Sequence, residues 1–455
     1  PHTVILDFYK KSNLTKKQYK YFQSLIKAVM KSNFLKERAS VFISISVFRL
    51  CLDFMYLNFI VFYFGYAGFE LSDNTYPYII SWVIVLIYSL FINANIVKPS
   101  DYFLMIAATS VAIPLTTIYG LSERSIEPVI ATISSFIAMY FIVRFKAPYN
   151  IKLFKISKGK QVANYLSWFF VLILIAWYFI SGAVRYFNLD FSKVYDYRTL
   201  SAELVNVGIM SYITGWVYNV FSLYAISYAL WKKNYAVVVL LFIIQTFFFG
   251  VSAHKSVLFT PFLVFGVWFY LQRFKTLLVI PISLSVILFF VYFLALYTDD
   301  ILLPSLFIRR VFFVPAQLAF DWFSFFGENE YIYWSTSILS PFIDYPYHVG
   351  PPLLIGEYLG SDTTAANNGF VSTGYSHFGY IGIAIYVLIF SFILRFMNKV
   401  AQTTPIWFIL ALTITPLRTA IVSSDLPTTL LTHGLLISLL LLLLSLENSK
   451  RSSEL

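Results

Sequence analysis

Stretches of predominantly apolar residues, each about 20 residues long, recur along this chain and constrain its fold more than any other feature. A helix of that length crosses roughly 30 Å of hydrocarbon. Twelve such stretches lie near residues 40–64, 76–96, 102–120, 126–143, 164–186, 207–230, 235–252, 256–272, 276–297, 371–394, 405–422 and 428–446. The sequence therefore predicts an all-α, polytopic integral membrane protein with about twelve transmembrane helices. A re-entrant segment is the alternative for the short eighth stretch.

The composition excludes several other classes of protein. Only 12% of the 455 residues are charged, against about 25% in an ordinary soluble domain, so a water-soluble fold is excluded. The net charge of +11 is explained by the basic cytoplasmic loops of membrane proteins, and no nucleic-acid partner is predicted. The single cysteine, Cys51, excludes an internal disulfide, and the five histidines have no metal-binding spacing. We expect neither a metal nor another cofactor.

The distribution of Lys and Arg predicts the orientation in the membrane. The side that carries both termini holds 24 of these residues, the opposite side holds eight, and Arg49 lies inside a span. Because cytoplasmic loops carry the excess of basic residues, both termini are predicted to be cytoplasmic. The predicted organisation is a basic amphipathic N-terminal segment (1–39), a transmembrane domain (40–446) and a cytoplasmic tail (447–455).

Within the N-terminal segment, apolar residues recur at steps of three and four, with lysines set off that stripe. The apolar residues are Phe22, Leu25, Ile26, Val29, Met30 and Phe34, and the lysines are Lys27, Lys31 and Lys36. This pattern predicts an amphipathic helix. The helix either lies on the inner leaflet, held by anionic lipid, or docks on the cytoplasmic face of the bundle.

Two segments on the less basic side, 187–206 and 298–370, are too long to be simple turns. Long segments of this kind are usually functional or disordered, and the many aromatic residues in 298–370 argue against disorder. This large periplasmic loop also contains arginines, carboxylates and the rigid run 345–352 (YPYHVGPP). Such a composition suits sugars, since aromatic faces cover sugar C–H surfaces and arginines offer forked donors to phosphate.

Charged residues inside or at the ends of spans also need an explanation, because each costs about 2.5–3.5 kcal/mol at a helix centre. Arg49 and Asp53 lie four residues apart in the first span and are predicted to form a structural ion pair. Lys255 lies in the break after the seventh span, and Arg418 and Asp425 flank the outer end of the eleventh. These residues either anchor the protein at lipid headgroups or form a cationic pocket at the outer surface.

Several ordered motifs in the second half of the chain point to a family. They are residues 253–256 (AHKS), 309–315 (RRVFFVP), 350–358 (GPPLLIGEY), 366–370 (ANNGF), 375–382 (YSHFGYIG) and 423–428 (SSDLPT), with Arg418 before the last. In this set the chain resembles the Wzy-type O-antigen polymerases, the oligosaccharide repeat-unit polymerases of bacterial inner membranes. It departs from the family at Thr373, where many relatives carry Asp, and at His377, where Asn often precedes Phe-Gly. A catalytic carboxylate at position 373 is therefore excluded.

The resemblance implies a GT-C-like glycosyltransferase of surface polysaccharide (lipopolysaccharide) biosynthesis, with its active site facing the periplasm. It would transfer a glycan from undecaprenyl pyrophosphate to the non-reducing sugar of another lipid-linked repeat unit. The implied partners are these lipid-linked glycans, membrane lipids and a chain-length regulator (a polysaccharide copolymerase). With no metal motif in the sequence, arginine and lysine are expected to stabilise the leaving pyrophosphate.

The residues expected to carry this chemistry fall into three groups. The candidates for the catalytic base are Glu357, which we place first because its run matches the family best, then His377, Asp425 and Asp344. A structural role, such as pairing with an arginine, is the alternative for Glu357. The expected pyrophosphate-binding residues are Arg309, Arg310, Arg418, Lys255 and His254. The expected sugar-binding residues are Asn367, Asn368, Tyr345, Tyr347 and His348.

Functions of other classes remain as alternatives. A polysaccharide flippase would also have about twelve spans and a basic lining. Transporters usually place charge at mid-membrane between pseudo-symmetric halves, whereas here the charge lies in the outer loops and the halves show no similarity. An O-antigen ligase would share the topology and differ in its lipid A core acceptor. A purely structural membrane scaffold explains the outer cations least well.

The orientation can be tested by cysteine labelling in a Cys51→Ser background. Cysteines at Ser324 and Asp362 should react with an impermeant thiol reagent from the periplasmic side, because both lie in the large outer segment. A cysteine at Ser157 should not react, since it lies among the basic residues of the opposite side. Labelling of position 157 in intact spheroplasts would contradict the predicted orientation.

Overall fold

The computed structural model describes residues 16–145, 156–191, 193–337 and 339–446, without the side chains of 16–34 and 194–196. Its helices are α1 (Lys16–Met55, continued by a π-turn Tyr56–Ile60 and by Val61–Phe64), α2 (Thr75–Ser89), α3 (Pro99–Leu121), α4 (Glu127–Arg144), α5 (Gly159–Ile180), α6 (Val194–Val205), α7 (Ile209–Trp216, a π-turn Val217–Phe221 and Ser222–Trp231), α8 (Tyr235–Ser252), α9 (Lys255–Leu271), α10 (Val279–Thr298), α11 (Leu302–Glu328), α12 (Pro351–Tyr358), α13 (Phe370–Val400), α14 (Ile406–Val422), α15 (Leu426–Leu431) and α16 (Leu435–Leu444). The described part of the chain is helical and contains no β-strand.

Eight helices in the described ranges are long and apolar enough to cross a membrane, as expected of a polytopic membrane protein. They are Leu35–Ala67, which includes the end of α1, with α3, α4, α5, α8, α10, α11 and α13. Four shorter apolar helices, α2, α9, α14 and α16, accompany them. The predicted span 428–446 consists of two helices, because the chain turns at Gly434, which has a positive φ of 80°.

The N-terminal helix continues into the first span without a break. α1 runs from Lys16 to Met55, so the predicted boundary between residues 39 and 40 is not a helix end. The predicted apolar stripe from Phe22 to Phe34 lies on side chains outside the described residues. The tail 447–455 and residues 146–155 likewise lie outside the described residues.

Contacts between loops and helix ends divide the bundle into two faces. On one face, the Ser72 amide after α1 donates a hydrogen bond to the Leu121 carbonyl at the end of α3, at 2.9 Å. Beside them, the Tyr375 hydroxyl near the start of α13 lies 3.4 Å from the carboxylate of Glu127 at the start of α4. We call this the upper face.

The opposite, lower face joins the other ends of these helices. The Ile96 amide, between α2 and α3, donates to the Lys275 carbonyl between α9 and α10. Near the end of α13, the Arg395 guanidinium donates to the Phe145 carbonyl after α4, at 2.8 Å. The helices α4 and α13 therefore run parallel, both from the upper to the lower face.

The segment 298–370, predicted to be a large loop, contains two helices among its described residues. Its first part forms α11, an apolar helix of 27 residues, and α12 follows later. α11 starts just after Thr298, the end of α10. α10 runs parallel to α1, since Cys51 contacts the Ser285 carbonyl and Phe54, further along α1, packs against Tyr292, further along α10. Near its other end, Asp321 forms an ion pair with Arg124 on the upper face. α11 therefore begins and ends on the upper face, although its length would allow a crossing.

The predicted ion pair in the first span is confirmed. Arg49 Nε lies 2.7 Å from Asp53 Oδ1, and both side chains are buried. The remaining Arg49 nitrogens donate to the hydroxyls of Thr116 and Ser81, and the Tyr78 hydroxyl donates to Asp53. Each side-chain nitrogen of Arg49 and each carboxylate oxygen of Asp53 therefore has a hydrogen-bond partner inside the protein. The pair connects α1 to α2 and α3 without leaving an unpaired charge in the apolar interior.

The longest helix after α1, α13, is broken near its upper end. Phe378 (φ −149°, ψ 29°) and Gly379 (φ 58°, ψ −138°) have non-helical backbone angles. The break folds the segment 370–377 back so closely that a Cβ on Gly382 would lie 2.0 Å from the Gly374 carbonyl oxygen. Glycine is therefore required at 382 by the close approach of backbone, and at 379 by the positive φ.

We expect Gly382→Ala to lower stability, because the new methyl group overlaps a backbone oxygen that cannot move aside. Overpacking of this kind costs about 1–3 kcal/mol. The matched control is Gly266→Ala in α9, where a Cβ would meet nothing within 4 Å. The control should leave the apparent melting temperature in detergent unchanged or raise it, since glycine weakens a helix interior. Equal melting of the Gly382→Ala variant and wild type would contradict the packed break.

Candidate functional site

A polar cavity of about 170 Å³ lies at the upper face, beside the break in α13. It is lined by Trp322, Ile332, Thr336, Pro351, Pro352, Asn367, Asn368, Thr373, Ser376, His377, Ser424, Asp425 and Thr428. Pockets that bury a drug-sized ligand measure roughly 300–1,000 Å³. The cavity therefore suits the end group of a ligand, such as one sugar ring, better than a whole oligosaccharide.

Three parts of the chain supply most of the polar residues that line the cavity. The upper half of α13 supplies Ser376 and His377, and the turn between α14 and α15 supplies Asp425. The turn and α13 pack tightly, since a Cβ on Gly369 would lie 2.0 Å from the Ile421 carbonyl oxygen. The segment before α13 supplies Asn367 and Asn368.

The segment 366–368 is fixed by two hydrogen bonds to α11. The Trp322 indole N–H donates to the Ala366 carbonyl at 2.9 Å, and the Asn368 side-chain amide donates to the Pro315 carbonyl at 3.1 Å. The Asn368 side-chain oxygen accepts the Gly369 amide at 2.7 Å. The position of Asn368 therefore depends on α11, which lies against the upper face.

Asp425 is the charged centre of the cavity. Its Oδ1 accepts hydrogen bonds from the Tyr386 hydroxyl at 2.7 Å and from the Leu426 amide at 2.9 Å. Its Oδ2 lies 3.1 Å from His377 Nε2. The side chain is still 21% exposed, so lone pairs remain for a ligand. Three donors hold the carboxylate in one orientation at the edge of the open space.

The hydrogen bonds of His377 define which ring nitrogen carries the proton. Nδ1 accepts the backbone N–H of Trp334 at 3.1 Å, so Nδ1 is unprotonated and the proton lies on Nε2. Nε2–H then donates to Asp425. With both nitrogens engaged and its side chain 2% exposed, His377 acts as a donor to Asp425 and has no free nitrogen for a ligand proton.

The electrostatic character of the cavity favours uncharged, hydroxyl-rich groups. Of the described residues that line it, Asp425 is the one carboxylate, and none is Lys or Arg. Asn367 and Asn368 add amides, and Thr373, Ser376, Ser424 and Thr428 add hydroxyls. An acidic ligand group would meet Asp425 without a compensating cation, whereas a sugar hydroxyl can donate to it.

The structure brings together four of the residues singled out from the sequence. His377, Asp425, Asn367 and Asn368 all line the cavity. Glu357 does not: its Oε2 lies 2.9 Å from Nε2 of His348, with which it pairs. His348 lies within the proline-rich run 345–352, and Glu357 follows that run. The partner of Glu357 is therefore a histidine, whereas the sequence analysis considered an arginine. Asp344 is exposed.

The two tyrosines expected to bind sugar use their hydroxyls within the protein. The Tyr345 hydroxyl donates to the Val349 carbonyl, and the Tyr347 hydroxyl donates to the Glu330 carbonyl. Burial, with a smaller effect of the neighbouring Tyr347, raises the pKa of Tyr345 to about 12. Burial likewise raises the pKa of Tyr347. Both hydroxyls therefore stay protonated and hold the loop, and neither residue lines the cavity.

The five residues expected to bind pyrophosphate lie on α11, on α14 and at the start of α9, and none lines the cavity. Arg309 packs over the Phe64 ring, 4.5 Å from its centroid, and Arg310 beside it is exposed. Arg418 is exposed on α14. Lys255 lies near the Phe191 ring at the top of α9. Its neighbour His254 has its pKa lowered to about 4 by burial and by the nearby Arg198, which makes it neutral at pH 7.

Sequence reasoning missed two residues of the Asp425 environment, Tyr386 and Trp334. Tyr386 lies nine residues after His377, a spacing that would not place both on one face of a continuous helix. The break at Gly379 removes that restriction. The one available signal was Gly379 itself, since a glycine inside an apolar helical pattern can mark a break.

No protein-family model matches the chain, and comparisons with curated proteins and with solved structures gave no significant match.

The different environments of the two carboxylates predict different effects on stability. The Glu357–His348 pair is partly exposed, and such pairs contribute about 0–1 kcal/mol. Glu357→Gln should therefore leave the apparent melting temperature close to that of wild type. Asp425→Asn replaces an acceptor by an N–H facing existing donors, and an unmatched buried group costs about 1–3 kcal/mol. A larger drop in melting temperature for Glu357→Gln than for Asp425→Asn would contradict these assignments.

Proposed function

We propose that this protein is a membrane glycosyltransferase that polymerises undecaprenyl-pyrophosphate-linked repeat units, and that the cavity at Asp425 receives the acceptor sugar. The observation that carries this proposal is an oriented carboxylate at the edge of a small, polar, hydroxyl- and amide-lined cavity. The motif resemblance described above supplies the reaction class. The long apolar helices other than α11, together with the four short ones, support a GT-C-like arrangement.

In the proposed reaction, an acceptor hydroxyl attacks the anomeric carbon of the donor glycan. The new C–O bond forms as the bond between the anomeric carbon and the pyrophosphate oxygen breaks. The hydroxyl proton passes to Asp425, whose side chain is within reach of the cavity. A carboxylate within hydrogen-bond distance of the attacking group is the usual requirement for such a general base.

The sugar fit rests on the lining of the cavity. Trp322 provides an apolar surface, while Asn367 and Asn368 provide donors and acceptors for ring hydroxyls. Asp425 replaces Glu357 as the first candidate for the base, because Glu357 is paired with His348 outside the cavity. A neutral sugar is the favoured acceptor, since no lysine or arginine lines the described walls.

The leaving pyrophosphate needs fixed donors outside the acceptor cavity. Arg309 is the best placed candidate, because its buried Nε has no hydrogen-bond partner among the described residues. Arg310 and Arg418 remain exposed and available, and Lys255 and the neutral His254 stay secondary candidates. In this proposal the upper face is periplasmic, in a bacterial inner membrane with both termini cytoplasmic.

One observation favours a flippase as the second candidate. Transporters build substrate sites at broken helices, and α13 is broken beside the cavity. Against it, Ile332, Thr336, Pro351 and Pro352 from the long segment between α11 and α13 also line the cavity. A site lined by such a segment fits an enzyme that acts at one membrane face better than a pathway through the membrane.

The test is a reconstitution with purified components. Wild-type protein in lipid, given only lipid-linked repeat units, should produce a ladder of longer glycans, because the donor bond itself supplies the free energy. Asp425→Asn should retain substrate binding while kcat falls by roughly 10²- to 10⁴-fold. Glu357→Gln should retain most activity.

Three outcomes would count against the proposal. Absence of a ladder from intact wild-type protein would refute the polymerase, and movement of repeat units across the bilayer in the same preparation would favour the flippase. An Asp425→Asn variant as active as wild type, with Glu357→Gln inactive, would return the base to Glu357. In cells, loss of polymerase should leave single repeat units on the surface, whereas loss of a flippase should leave none.

A further inference from the structure

Trp334 contacts both residues that hold Asp425. Its backbone N–H donates to His377 Nδ1 at 3.1 Å, and its indole Nε1–H donates to the Tyr386 oxygen at 2.8 Å. His377 and Tyr386 each donate in turn to one oxygen of Asp425. The four residues therefore form a closed ring of hydrogen bonds. Two branches, one through His377 and one through Tyr386, connect Trp334 to the Asp425 carboxylate.

In both branches of this ring, each hydrogen bond is donated away from Trp334 and toward Asp425. Trp334 supplies two donors, His377 and Tyr386 each accept one bond and donate the next, and Asp425 only accepts. If Tyr386 turned its hydroxyl toward Trp334, the indole N–H would face a second donor. The indole therefore forces the Tyr386 proton toward Asp425, just as the backbone N–H forces the His377 proton onto Nε2.

The backbone that presents Trp334 is strained. Tyr333 and Trp334 have consecutive positive φ values of 47° and 58°, a conformation that bulky side chains rarely adopt. Such outliers persist where the surroundings over-determine them and cluster at functional sites. Here the surroundings are hydrogen bonds to the end of the first half of α13: Ile332 N–H to the Ser376 carbonyl and Tyr333 N–H to the His377 carbonyl.

Packing fixes the indole as well. The Trp334 and Tyr386 rings are stacked, with 6.1 Å between centroids and 14° between planes, and Phe378 contacts the Trp334 ring edge-on at 5.0 Å. Tyr386 is fully buried. The indole N–H is therefore held in place before any ligand binds.

We propose that Trp334 is a positioning residue that fixes the orientation of the Asp425 carboxylate through His377 and Tyr386. The inference rests on the proposed function for its kinetic consequence, since it assigns Trp334 a part in the transfer reaction without contact with the reacting atoms. Its structural content, the direction of every proton in the ring, stands independently of the reaction catalysed.

The kinetic test uses Trp334→Phe, which keeps the backbone N–H and the stacked ring and removes only the indole N–H. We expect kcat for glycan elongation to fall roughly 3- to 10-fold, the loss of one hydrogen bond, with KM for the lipid-linked unit unchanged. Tyr386→Phe should be more severe. Because the indole acts through the Tyr386 oxygen, the double variant should match Tyr386→Phe alone.

The matched control is Trp177→Phe. Trp177 on α5 also donates its indole N–H to an acceptor inside the protein, the Val205 carbonyl at 3.0 Å, but lies outside the cavity. This variant should leave kcat unchanged. A Trp334→Phe variant with wild-type kcat, or losses that multiply fully in the double variant, would overturn the positioning role. Absence of a wild-type ladder would instead refute the proposed function and leave the structural inference to the next measurement.

That measurement is nitrogen NMR of protein labelled with ¹⁵N-histidine, with the His377 signals assigned by their loss in His377→Gln. In wild type at pH 7, Nδ1 should be unprotonated and Nε2 protonated. Trp334→Phe should leave this tautomer unchanged, because the backbone N–H remains. A proton on Nδ1 in the wild type, from either the other tautomer or the imidazolium, would contradict the proposed directions of the hydrogen bonds, whatever the activity of the protein.

Discussion

The structure depends on how the backbone is satisfied where α13 breaks. Inside a membrane protein an unpaired carbonyl or amide costs several kcal/mol, so a helix can be interrupted only where other groups replace its lost hydrogen bonds. At Phe378 and Gly379 the replacement comes from Ile332 and Tyr333, whose amides donate to the freed carbonyls of Ser376 and His377. The break and the segment 332–334 therefore require each other.

This mutual requirement produces a polar site in an otherwise apolar bundle. Because the first half of α13 is turned out of line, His377 faces the turn between α14 and α15 instead of a neighbouring helix, and Asp425 meets it there. The buried ion pair of Arg49 and Asp53 solves a similar problem differently, since it satisfies every polar atom internally and leaves no space. The Asp425 cluster combines fixed donors with an open cavity, which is why we propose that the chemistry takes place there.

Local patterns in the sequence were sufficient for part of this architecture. Apolar runs indicated a polytopic membrane protein and most of its long apolar helices, with α11 outside the predicted spans. The four-residue spacing identified the pair of Arg49 and Asp53, because such a pair follows from the geometry of a single helix. Asp425, His377, Asn367 and Asn368 were named as site residues, although Glu357 was placed first. The pairing of Glu357 with His348 could not be predicted from the sequence, since that contact depends on the fold of a short loop.

The remaining features depend on contacts between distant segments, which no local pattern encodes. Nothing in the periodicity of α13 shows that Tyr386 joins His377, since their separation becomes short only after the break forms. The apolar composition of α11 resembles that of a crossing helix, whereas its ends are both held on the upper face by partners such as Arg124. A strained turn at Tyr333 and Trp334 is likewise visible only in three dimensions.

The spread of the Asp425 cluster along the chain has a consequence for biogenesis. Trp334, His377 and Tyr386 are synthesised before Asp425, which follows Tyr386 by 39 residues. The hydrogen-bond cluster can therefore be completed only after the turn between α14 and α15 has been synthesised. A chain that stops before Asp425 would contain every donor of this cluster and lack its final acceptor.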